Sequence, residues 1–282
     1  MGTLGIIAGG GELPIAIAES VEAAGRGAFV VALKGAVEES AVARFAHEWV
    51  AIGELGRVLG MLKDRGCDEV TLAGQVARPD WSAIKLDARA ALALPKVAAA
   101  AFKGDDAILR AMVAIFEKEG FRVIGTAEAA PGLLALGGAQ GRRAPDKRAR
   151  EDIALAARVI RRMGEFDIGQ AAAVCDGLVL AVEAAEGTDA MLARVATLPV
   201  ALRGTPARRR GVLVKTTKPG QERRVDLPVI GAQTVERVAA AGLAGIAVEA
   251  GASLLVRRAK LVEAADRHGI FIFGFDPAAY SA

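Results

Sequence analysis

Leu4-Gly5-Ile6-Ile7-Ala8-Gly9-Gly10-Gly11-Glu12-Leu13-Pro14 sets the fold class. Leu4–Ala8 is a short apolar run and predicts a strand. Three glycines follow as a turn. Residues 15–24 then read as a helix, with Pro14 in its first turn, where a missing N–H costs nothing. Strand, glycine turn and helix N-terminus together make an anion cradle, because backbone N–H groups and the helix dipole point the same way. Gly9, Gly10 and Gly11 are therefore candidate phosphate-side residues; a plain tight βα turn is the alternative. A dinucleotide fingerprint needs a further glycine where Pro14 stands and an acid after the second strand, where Lys34 stands, so NAD is disfavoured.

Strands and helices go on alternating. Ala28–Leu33, residues 47–52 and residues 70–73 read as strands, and residues 55–65 as a helix. Gly74-Gln75-Val76-Ala77-Arg78-Pro79 is a loop at a strand's carboxyl end, where Gln75 and Arg78 can hold a base, ribose or phosphate. Two helices follow, Ala88–Ala101 and 106–119, with Asp105 as the expected N-cap of the second and Asp106 in its first turn. Residues 121–125 close this half as a strand. Strands separated by helices imply a parallel, right-handed wound sheet.

Residues 130–141 are rich in Gly and Ala and residues 142–150 in positive charge, as in a linker feeding a helix that begins near Pro145 and ends near Met163. Ala171–Cys175 and Leu178–Val182 read as a hairpin around Asp176-Gly177. The acidic turn Glu183-Ala184-Ala185-Glu186-Gly187-Thr188-Asp189 comes next, and Thr188 or Asp189 is the expected cap of a helix over 190–197. One cap does not account for all these carboxylates, which repel unless a cation or proton offsets them. Residues 211–216 read as a strand carrying Lys215, whose ammonium can reach a phosphate as a point charge. The loop after it holds Arg223, Arg224 and Asp226, the last fixed just before Leu227-Pro228. Helices over 234–241 and 258–267 and strands over 246–248, 253–256 and 270–275 complete the chain. Carboxylates beside lysine and arginines suit a divalent cation and a phosphate held side by side.

At 282 residues the chain can form one large or two ordinary domains, and 53% hydrophobic content is enough for a buried core. A net charge of +3 with 4% aromatics argues against nucleic acid as a partner. Cys67 and Cys175 fit no zinc spacing, and with two histidines zinc chemistry is not expected. No export signal and no apolar run of about 18 residues is present, so a cytoplasmic protein is expected, with contact at a membrane surface left open.

The ordered set Ile7 to Pro14, Ala73 to Pro79, Gly104-Asp105-Asp106, Asp167-Ile168-Gly169-Gln170, Val182-Glu183 through Asp189, Lys218-Pro219-Gly220-Gln221 with Asp226-Leu227-Pro228, and Val248-Glu249-Ala250-Gly251 resembles the UDP-2,3-diacylglucosamine pyrophosphatase family of the LpxI type, from lipid A biosynthesis. The resemblance spans essentially the whole chain; Glu222 stands where an aspartate is the commoner residue. It implies two α/β domains: a Rossmann-like, nucleotide-facing parallel sheet over 1–135, a linker over 136–147, and a mixed α/β sheet over 148–282. The second domain would carry the catalytic carboxylates and an apolar groove for acyl chains, in it or between the domains. It implies magnesium-dependent hydrolysis of UDP-2,3-diacylglucosamine to UMP and 2,3-diacylglucosamine 1-phosphate (lipid X), with Asp226 essential. Substrate contacts are then expected from Gly9, Gly10, Gly11, Leu13, Gln75, Arg78, Asp105, Asp106, Gln170, Thr188, Arg223 and Arg224. Asp226, Asp189 and Lys215 are the expected catalytic residues, with Asp226, Asp189, Glu183 and Glu186 as metal ligands. A homodimer and transient contact with the inner membrane are compatible with it. The alternative is a non-catalytic lipid or nucleotide-sugar binding protein.

Overall fold

Residues 2–76, 84–102 and 104–280 are described by a computed structural model. The chain divides into two units: Met1–Gly132 with Glu222–Asp226, and Leu133–Gln221 with Leu227–Ala282.

In the first unit the order is β1 (Leu4–Ala8), α1 (Leu13–Ala23), β2 (Ala28–Leu33), α2 (Glu39–Val42), β3 (Ala46–Val50), α3 (Leu55–Asp64), β4 (Glu69–Ala73), α4 (Ala88–Ala101), α5 (Asp105–Lys118), β5 (Arg122–Val123) and α6 (Thr126–Ala129). The five strands form a parallel, Rossmann-like sheet in the order β3-β2-β1-β4-β5. Leu4, Ile6 and Ala8 of the central strand are fully buried, as a strand covered on both faces requires. Phe29, Val31, Leu62, Val70 and Phe116 belong to the core on one side. The strand order reverses between β1 and β4, so the loops after them meet at the switch point where such sheets take ligands.

The second unit runs β6 (Gly138–Ala139), α7 (Lys147–Gly164), β7 (Ala171–Cys175), β8 (Leu178–Val182), α8 (Gly187–Thr197), β9 (Val212–Lys215), β10 (Val229–Ile230), α9 (Ala232–Ala240), β11 (Gly245–Glu249), β12 (Leu254–Leu255), α10 (Arg258–His268) and β13 (Phe271–Phe275). Its main sheet has the order β6-β13-β11-β9-β7-β8. The pairs β13–β11 and β11–β9 are parallel, and β6, β7 and β8 join antiparallel. β10 and β12 pair separately. Period-2 alternation divides each strand between two cores: Leu213 faces the cluster with Met191, Val235 and Leu261, while Val212 and Val214 face Ile153, Ala156 and Ile160 of α7. Those α7 residues recur at three- and four-residue steps, the stripe of a helix packed on a sheet.

The Asp176-Gly177 turn forms as expected, with φ of 50° and 81°. Both of its N–H groups donate to the carboxylate of buried Asp152, whose carboxyl burial pushes up. Three local expectations are corrected. The N-cap of α5 is Gly104, which has no side chain to cap with, and Asp105 is the first helical residue. The N-cap position of α8 is Glu186, without a side-chain bond, so Thr188 and Asp189 lie in the first turn instead of capping it. Residues 136–147, read as a linker, contribute β6 to the second sheet and Asp146, which caps α7 by accepting from Ala149 N.

Candidate active site

At the first unit's switch point the two loops are locked to each other. Gly10 N donates to Gln75 O at 2.7 Å, and Gln75 N donates to Gly10 O at 2.9 Å. A Cβ on Gly9 would come 2.6 Å from Gln75 O, and one on Gly74 would come 2.6 Å from Gly10 O, so the close crossing admits only glycine. Backbone packing thus accounts for Gly9 and Gly74, and a Cβ on Gly10 would come 2.9 Å from Ala36 O. Gly11, with φ of 88° and nothing near its missing Cβ, opens the turn into Leu13, the first residue of α1. Arg78, with Ala77 and Pro79, lies outside the described residues.

The second unit gathers a denser set of polar groups. In its sheet Lys215 is opposite Ala171, and Ala172 is opposite Val182. The chain just beyond β9 and β8 and just before β7 therefore shares one edge, the carboxyl end of the parallel strands. Lys215 Nζ, in a side chain 6% exposed, donates to Thr188 Oγ1 at 3.0 Å and to Val229 O at 3.3 Å. Thr188 Oγ1 donates its single proton to Glu183 Oε1 at 2.7 Å. The polarity of the chain is fixed: ammonium to hydroxyl to carboxylate. Glu183, 7% exposed, also accepts from Gln170 N at 3.2 Å. Gly169 makes that approach possible: a Cβ there would sit 2.0 Å from Glu183 O. The Oε1 of Gln170 is buried and has no hydrogen-bond partner among the described residues, an acceptor suited to a donor that a ligand brings.

Beside this chain, one oxygen of buried Glu249 takes three donors. Thr216 Oγ1, Thr217 Oγ1 and Thr217 N reach its Oε2 at 2.6, 2.7 and 3.0 Å. Lys218 Nζ pairs with Asp167 Oδ1 at 2.5 Å, and Lys218 N donates to Gln221 Oε1 at 2.8 Å. In the sequence Glu249 stands out only as part of Val248-Glu249-Ala250-Gly251; its hub role depends on β9 and β11 being neighbours, which no local pattern states.

Within the second unit, each of the three acids expected as metal ligands has a partner of its own. Asp189 pairs with Arg237 at 3.0 Å, Glu186 with Arg194 at 2.8 Å, and Glu183 is taken by Thr188 and Gln170. Among the described residues no three His, Cys, Asp or Glu side chains gather in a way that could hold an ion. Asp226 belongs to the first unit, where its N donates to Glu222 O. Arg224 is committed to carboxylates, with Nε and Nη2 on Glu222 at 2.9 Å each and Nη1 on Glu117 at 2.7 Å. These pairs raise the Arg224 pKa and hold the Glu222 carboxyl below its usual range. Asp106 neither caps its own helix nor stands alone: Oδ1 accepts from Glu222 N at 2.7 Å and Oδ2 from Arg110 Nε at 2.6 Å. Arg223 is exposed.

Set against known proteins, residues 3–133 match the model of the LpxI N-terminal domain and residues 137–273 that of the LpxI C-terminal domain. The UDP-2,3-diacylglucosamine pyrophosphatase LpxI of Caulobacter vibrioides is 50% identical over 277 residues, which covers 98% of this chain and 99% of that protein.

Proposed function

This chain belongs to the LpxI family of UDP-2,3-diacylglucosamine pyrophosphatases, and from that premise we propose how its residues act on the diphosphate. The enzyme adds water across the P–O–P bridge of UDP-2,3-diacylglucosamine. One phosphorus takes the water oxygen, the other leaves with the bridging oxygen, a proton is released, and the products are UMP and 2,3-diacylglucosamine 1-phosphate. Water attacks directly, with no covalent enzyme intermediate.

The observation that carries the assignment of roles is the buried chain Lys215–Thr188–Glu183. An ammonium held in one orientation at a sheet's carboxyl edge offsets charge on a phosphate without reorganising during the reaction. Glu183 balances that buried charge through the Thr188 hydroxyl, which a bare buried lysine would lack. Gln170 supplies an acceptor for a substrate donor. The glycine turn at Gly9–Gly11 takes the nucleotide side, where helix α1 presents its N-terminus. Asp226 is the acid that orients the attacking water or holds an ion.

Magnesium enters on narrower terms than a protein-made cage, since Glu183, Glu186 and Asp189 of the second unit are tied to arginines, threonine and backbone. Magnesium commonly takes one or two carboxylates and completes its shell with substrate phosphates and water; Asp226 is the residue assigned to it. Bound to the diphosphate, it would offset charge and lower the pKa of its water. No helix among the described residues is long and apolar enough to cross a membrane. We place the enzyme in the cytoplasm, meeting its diacylated substrate at the inner membrane surface, and as a homodimer. Release of UMP from UDP-2,3-diacylglucosamine, measured with and without a chelator, tests the assignment; retained wild-type turnover in Lys215→Met would sink the role given to the buried ammonium.

A further inference from the structure

Five residues of the loop between β9 and β10 leave the second unit and belong to the first. This strap, Glu222–Asp226, ends on the aspartate assigned to the chemistry. The first unit fastens it at four points. Glu222 N donates to Asp106 Oδ1 at 2.7 Å. Arg224 Nη1 donates to Glu117 Oε1 at 2.7 Å, while its other edge grips Glu222 with two bonds of 2.9 Å. Thr126 N donates to Arg224 O at 3.3 Å. Val225 packs against the apolar cluster that includes Phe116 and Val123. Within the strap, Val225 N and Asp226 N both donate to Glu222 O, so the turn that presents Asp226 is closed by the residue that Asp106 and Arg224 hold.

We propose that Asp106, Glu117 and Arg224 are positioning residues for Asp226. They do not act on the substrate; they fix the backbone from which the aspartate projects. An exposed ion pair by itself contributes little. Here a bidentate Arg–Glu pair, a second carboxylate and a backbone bond act on one short turn, and a displacement of about 1 Å at a reacting group can cost on the order of 100-fold in rate. Helix α5 therefore reaches the chemistry through the strap, from side chains that include Glu117, which is 46% exposed.

This proposal rests on Asp226 acting in hydrolysis, and the experiment separates the two. Initial rates of UMP release are measured against UDP-2,3-diacylglucosamine concentration for Asp226→Ala, Glu117→Ala, Glu117→Asp and the double variant Asp106→Ala/Glu117→Ala, with a thermal melt of each. The double variant is expected to lose about tenfold in kcat with KM within about threefold of wild type, the signature of an interaction felt in the transition state. Glu117→Ala, on a half-exposed side chain that folding tolerates, is expected to lose roughly threefold on the same grounds, and Glu117→Asp to recover most of it. A full kcat in both alanine variants beside an inactive Asp226→Ala overturns the positioning role alone. A raised KM at unchanged kcat overturns it too. Wild-type turnover in Asp226→Ala overturns the role of Asp226, and this proposal with it.

Discussion

Thr188→Val removes one hydroxyl and keeps volume and branching. That hydroxyl gives its proton to Glu183 at 2.7 Å and its lone pair to Lys215 at 3.0 Å, and both partners are under a tenth exposed. A hydrogen bond to a charged group contributes about 1.5–3 kcal/mol net. Two are lost, but Glu183 keeps the Gln170 N–H and Lys215 keeps the Val229 carbonyl, so the expected cost is roughly 3 kcal/mol and not the full sum. Against a total of about 5–15 kcal/mol the variant still folds at room temperature. Its melting midpoint should fall by roughly 6–12 °C for a chain of this size. Turnover should fall about tenfold or more, because the ammonium is no longer held in one orientation. Circular dichroism melts and UMP release read the two effects, and Thr188→Ser, which keeps the hydroxyl, should restore both. A Thr188→Val protein with unchanged midpoint and unchanged kcat would refute the idea that this hydroxyl joins the two charges.

Asp226→Ala should leave the melt nearly unchanged and lower kcat by about 10²–10⁴-fold, the span ordinary for a lost catalytic acid or base; a stopped UMP assay decides it. Chelator should abolish UMP release and added magnesium should restore it, while activity that survives exhaustive chelation would remove the ion from the reaction. Cys175, whose thiol burial pushes up to about 11, ties stability to alkaline pH. Below pH 9 the folded and unfolded thiols are both protonated and contribute nothing. Between 9 and 11 only the unfolded chain ionises, so stability falls by about 2–3 kcal/mol and then levels off. Urea unfolding at pH 8 and pH 11 measures the drop, and Cys175→Ala should lack that part of it.

The central strands are legible in the sequence because burial on both faces leaves apolar runs such as Leu4–Ala8 and Ala28–Leu33, and the hairpin is legible because Asp176-Gly177 tolerates positive φ. Lys215 is legible as an ammonium at a strand end, but its partner is not, since Thr188 meets it across 27 residues of chain. The partners of the acidic turn are hidden from the sequence for a physical reason. Counted along the chain, Glu183, Glu186 and Asp189 crowd together; folded, Arg194 from the next two helical turns and Arg237 from α9 neutralise two of them, and the third is hydrogen-bonded. Cap positions fail by a residue, as at Gly104, where backbone conformation outranks the better capping side chain beside it. The attachment of Glu222 to Asp106 spans 116 residues, and nothing in a charged, proline-flanked loop announces it.

The strap has a consequence for anyone who would cut or shuffle this chain. By sequence it lies inside the match to the C-terminal domain, residues 137–273; by contact it belongs with residues 1–132. An amino-terminal fragment ending at residue 132 would be missing five of its own residues, with the seat of Val225 laid bare, and a chimera joined at that border would graft a foreign strap onto α5. The two halves of the sequence thereby share one set of contacts: Asp106 and Glu117 in one meet Glu222 and Arg224 in the other.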